Sequence, residues 1–82
     1  MSSREEDREE LQHGRDFRAA RGEALPPVEK EVDLWQAMDA GWRLAGVDCR
    51  RYHDNTALKQ AVYAARAAID EVEYHLRKEV WP

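Results

Sequence analysis

Glu10-Leu11-Gln12-His13 has the Glu-x-x-His spacing with which carboxylate-bridged di-iron bundles place two metal ligands on one helix face. Such a site needs the motif twice, plus a glutamate from each of two further helices. His53 follows Arg50 and His75 follows Val72 at the corresponding offset, so the second copy is missing and the di-iron reading fails. Cys49 and His53 are four apart, but a structural zinc site takes four ligands, and Asp48 and Asp54 would have to supply the rest. A loop thiol beside Arg50 and Arg51 is the expectation there. The chain has no glycine-rich phosphate loop, nucleophile elbow or paired CxxC. No catalytic, cofactor-binding or metal-binding residues are therefore expected.

One acidic residue stands out by position. Asp39 projects into the same arc as Val28, Trp35 and Trp42, where a carboxylate needs a partner. The ordinary reading is an ion pair with Arg43 one turn on, or with a base from a neighbouring helix. The functional reading is a buried acid used in recognition, or in catalysis at a dimer-interface pocket shared with Arg43 or Arg66.

The elements that must position these groups follow from apolar spacing. Leu58, Val62, Ala65, Ile69, Val72 and Leu76 repeat at four, three, four, three, four, a heptad seam that predicts a helix over about 56–80. Asp54 or Asn55 is its expected cap. Val28, Val32, Trp35, Met38, Trp42 and Ala45 form one stripe, widened by Leu34, and predict a helix over about 27–45. Gly46 is the expected left-handed stop, with Val47 folding back on Trp42. Residues 22–27, with Pro26 and Pro27, read as a linker. Before it, 1–21 is dense in charge, with Leu11 and Phe17 its large apolar residues. Ser3 and Glu6 fit a capping box, so a solvent-facing helix over about 4–20 is expected, in competition with an unstructured tail.

The expected fold is all-α, a single domain over 1–82. An antiparallel helical hairpin, 28–82, is its core, and the charged N-terminal helix completes a three-helix bundle unless two hairpins dimerise. At 82 residues the core is marginal without added packing.

The last helix carries a second apolar line, Tyr63, Ala67, Tyr74 and Trp81, roughly 150° round from the Leu58 seam. A helix apolar on opposite sides sits between two layers. The second layer is the N-terminal segment, another copy of the chain, or a foreign protein anchored on the aromatics. Tyr63, Tyr74 and Trp81 are accordingly the candidate partner-binding residues, with Arg66 and Arg77 at the rim.

Net charge is −4, distributed as −2 over 1–27, −3 over 28–48 and +1 over 49–82. No third is strongly basic, which counts against nucleic acid as main partner and leaves Arg15, Arg18, Arg50 and Arg51 as the residues such a role would use. Arg4, Arg8, Arg15 and Arg18 form a broken basic line, interleaved with acids. The longest apolar run, 61–65, is far below the roughly 20 residues of a membrane span, and the first residues lack the pattern of a signal peptide. One cysteine points to a reducing compartment, and cytoplasm is expected. Small size without a catalytic constellation suits a protein-binding inhibitor or regulator of the kind phages and mobile elements carry.

Overall fold

The computed structural model describes residues 4–81, and among these there are three α-helices and no strand. α1 spans Arg4–Ala20, α2 Val28–Ala45 and α3 Thr56–Val80, with one 3-10 turn at Cys49–Tyr52 between the last two. The chain is thus an all-helical bundle built on a hairpin. Ser3 lies outside the described residues, so the capping box expected there does.

α1 has Glu5, Glu6 and Asp7 in its first turn and Arg18 in its last, charges that suit the two ends of the helix dipole. It ends at Gly22, whose φ of +80° is the left-handed conformation that a residue without Cβ adopts at least cost. Gly22 N–H donates to Ala19 O (3.0 Å) and Glu23 N–H to Arg18 O (3.2 Å), the paired bonds of a Schellman stop. That device was expected at Gly46. Gly46 is instead right-handed, with φ −76°, and its N–H donates to carbonyls of α2's last turn, including Trp42 O at 3.0 Å. Another group takes the remaining carbonyls. The Arg66 guanidinium on α3 donates to Leu44 O (2.7 and 2.9 Å), Ala45 O (3.2 Å) and Val47 O (3.0 Å). A side chain from the neighbouring helix does what the left-handed glycine was expected to do.

α3 starts on Asn55, whose Oδ1 accepts from Leu58 N–H at 2.9 Å. α2 and α3 run antiparallel: Lys30 meets Glu79, Arg77 reaches Met38, and Arg66 meets the end of α2. At mid-length the approach is so close that a Cβ on Gly41 would lie 2.9 Å from Ile69 Cγ2. A glycine sits there because a methyl would not fit.

The order of layers differs from expectation. α2 is the central helix: it packs on α1 and on α3, while α1 and α3 do not touch among the described residues. The N-terminal helix, a candidate to cover the tyrosine line of α3, covers α2 instead. The three helices form an open layer of 53 × 25 × 17 Å rather than a closed bundle.

The buried apolar residues are Leu11, Val32, Leu34, Val62 and Val80. Val72, placed in the α3 seam by its heptad spacing, is 47% exposed. A straight helix drifts about 20° per heptad against a seven-residue repeat, so the packed line moves off Val72 and reaches Val80. Trp35 and Trp42, read as core, are also exposed, Trp42 at 75%. α3 docks through the Leu34 and Gly41 side of α2, about 100° from the centre of the expected stripe. α1 covers only the N-terminal half of that stripe. No described helix is long and apolar enough to cross a membrane.

Candidate partner-binding surface

The core holds no aromatic side chain. Three tryptophans, three tyrosines and one phenylalanine make up the chain's aromatic content, and all seven are exposed: Phe17, Trp35, Trp42, Tyr52, Tyr63, Tyr74 and Trp81. Small aliphatic residues line the close α2–α3 contact, and the large rings are left on the outside.

Five of the seven share one broad side of the hairpin. A shallow hollow of about 220 Å³ is lined by Trp35, Met38, Asp39 and Trp42. It shares Met38 and Trp42 with a second, of about 290 Å³, that runs between the helices past Gly41 and Ala45 to Asp70, Glu73 and Arg77. That one shares Ala45 with a third, of about 580 Å³, between the 46–50 connection, Tyr63 and Arg66. The second and third follow the α2–α3 seam, and the first adjoins them on α2. Tyr74 and Trp81 project within about 20° of Tyr63 on α3 and stand on the same side. Tyr63, Tyr74 and Trp81 are 57%, 55% and 53% exposed.

Cations flank these rings. Arg66 lies 5.7 Å from the Tyr63 ring centre and Lys78 4.4 Å from that of Tyr74, while His75 meets Tyr74 edge-on at 5.4 Å. The two arginines read as rim contacts differ. Arg77 is half exposed and held by Glu73 Oε1 at 2.7 and 3.1 Å, with Met38 Sδ at 3.7 Å. Arg66 is half-buried and committed to the carbonyls that end α2, so its part is structural as well as peripheral.

Asp39 is not a buried acid. Its side chain is 52% exposed and pairs with Arg43 at 3.0 Å, because α1 stops short of this part of α2 and nothing else covers it. Cys49 is a free, half-buried thiol lining the third hollow. His53 sits 3.2 Å from Asp54, away from it. Among the described residues, no group of three or more His, Cys, Asp or Glu could hold a metal ion.

The basic line of α1 has a structural use. Arg15 and Arg18 donate to the buried carboxylate of Glu31 at 2.6 and 2.9 Å, on one flank of α2. Arg4 pairs with Glu29 and Asp33, and Arg8 with Glu29, on the other flank. Arg4 also donates to Gln36. α1 therefore crosses the N-terminal half of α2 obliquely. Hydrogen bonds that the Arg4 guanidinium donates to Asp33 and Glu29 raise it above its usual pKa, so it keeps its charge at any working pH. Sequence reasoning missed the surface role of Trp35, Met38 and Trp42. The available signal was the poverty of α1, whose two large apolar residues cannot cover a six-residue stripe.

Compared with known proteins, the chain matches no family model, no curated protein and no solved structure.

Proposed function

We propose that the protein is a non-catalytic helical binding module that inhibits or regulates a larger protein by docking the aromatic side of its hairpin on it. One observation carries the reading: every aromatic side chain lies outside the core. Burying a side chain of this class is worth roughly 1.5–3 kcal/mol, which an exposed ring forgoes until a partner covers it. Tyrosine and tryptophan anchor interfaces because they offer large area with few rotatable bonds and a polar tip. Tyr63, Tyr74 and Trp81 are the anchors, and Arg77 is the more exposed of the two rim cations.

Two other readings have less behind them. A nucleic-acid role would use Arg15 and Arg18, which are bonded to Glu31, leaving Arg50 and Arg51 as a small cluster. An enzyme working through Asp39 would rely on a carboxylate that is exposed and paired with its own neighbour. The cytoplasm is the compartment we assign it, on the sequence's use of a single cysteine.

Affinity capture from cells that carry the gene tests the proposal. The wild-type chain retains a specific protein, and Tyr74→Asp loses it by a factor of ten or more, order of magnitude, with the helical circular dichroism unchanged. Equal retention by both chains would refute the assignment of this face.

A further inference from the structure

The stripe on the C-terminal half of α2 lies beside the tyrosine line of α3 on the same side of the hairpin, on a different helix. The accessible surface is 6182 Å², against about 5,100 Å² for a compact monomer of 9.6 kDa. The surplus is about 1,100 Å², and a stable interface takes about 800 Å² from each partner. The radius of gyration is 16.0 Å, against about 12 Å for a compact domain of this length. Among the described residues five apolar side chains are buried, a small core for 82 residues to which a further contact adds. The stripe carries its own exposed acid and base, Asp39 and Arg43, so a second copy of the chain is a charge-complementary partner for it.

Charge and coverage fix how the copies meet. In an antiparallel pair about a two-fold axis, an acid and a base four residues apart face each other if the axis passes midway between them. Asp39 and Arg43 are such a pair, at the edge of the stripe, and the axis falls level with residue 41. In that register residue 45 of one α2 lies level with residue 37 of the other. The overlap thus ends where α1 begins, since α1 reaches α2 as far as Gln36 through Arg4. Trp42, the most exposed of the tryptophans, is brought between Trp42 and Met38 of the other chain.

We propose that the protein is a homodimer in which the C-terminal halves of two α2 helices pack antiparallel, Trp42 at the centre and Asp39 of each chain paired with Arg43 of the other. This rests on reading the exposed aromatics as contact surfaces, and it leaves Tyr63, Tyr74 and Trp81 for a foreign protein.

Light scattering and sedimentation equilibrium on the full chain, up to about 100 μM, test it. The wild-type chain is a dimer across the range. Trp42→Asp, at a site three-quarters solvent-exposed in the single chain, is a monomer with its helices retained. Asp39→Lys and Arg43→Glu each weaken dimerisation about tenfold, because each places like charges across the axis. Mixing these two variants restores the wild-type affinity, since Lys at 39 then faces Glu at 43 in the other chain. A charge effect confined within one chain gives no such rescue. A wild-type monomer at about 100 μM, a dimer indifferent to Trp42→Asp, or a mixture no tighter than its components would each overturn the proposal. A monomer that still loses a captured protein on Tyr74→Asp would overturn the dimer alone, leaving the partner-binding reading in place.

Discussion

α2 has a neighbour on each side, and the two contacts are built from different materials. Against α3 it is close and mostly apolar: Leu34, Val62 and Val80 are buried, and Gly41 lets Ile69 approach until no methyl would fit between them. Against α1 it is ionic, four arginines on three carboxylates and one glutamine, with Leu11 the buried apolar residue that α1 contributes. Close packing specifies register, because shape fits in one place. Long charged side chains reach several positions and allow an oblique crossing. The first contact should answer to changes of volume and the second to changes of charge and salt.

Ile69→Asp has the largest expected effect. It drives a carboxylate against the Gly41 backbone at the closest approach of the two helices, so the hairpin unfolds, which the loss of helical circular dichroism at 25 °C would show. Retained helix would mean the α2–α3 seam is looser than drawn. Glu31→Ala ranks next. Removing a carboxylate 3% exposed from two arginines costs about 3 kcal/mol and should release α1 while α2 and α3 stay paired. Amide exchange would then speed up over 4–20 and stay slow over 60–76, and uniform exchange would erase the contrast.

Raising ionic strength from about 0.1 to 1 M shortens the screening length from about 10 to 3 Å. Exchange over 4–20 should quicken several-fold, less than in Glu31→Ala because the buried pairs are shielded from salt, with α3 unaffected. Smallest is Asp39→Asn, which breaks an exposed pair worth under about 1 kcal/mol and should leave the melting temperature of the folded chain within a few degrees. A large drop would return Asp39 to a structural role.

Much of the fold was legible because it is local. The helix limits follow from Pro26 and Pro27, from Asn55, and from the 3.6-residue spacing of apolar side chains, signals carried within a few residues of where they act. The stop signals show the boundary of that legibility. Gly22 and Gly46 both follow helices, and nothing nearby says that one will turn left-handed while the other hands its carbonyls to Arg66, some twenty residues on. The candidate surface was half legible. The tyrosine line on α3 could be read from spacing, while Trp35 and Trp42 looked like core because a stripe does not state which neighbour will cover it.

By itself the sequence determined the two helices of the hairpin and the apolar sides of each, and left α1 in competition with an unstructured tail, since backbone hydrogen bonding and side-chain period are properties of short segments. Tertiary structure alone decided that α2 lies in the middle, that α1's arginines are spent on Glu29, Glu31 and Asp33, and that the aromatic rings end outside. The reason is competition. Several faces could each have paired with α2, and the narrow Gly41–Ile69 approach, which needs residues 28 apart in the chain to meet, gave that place to α3.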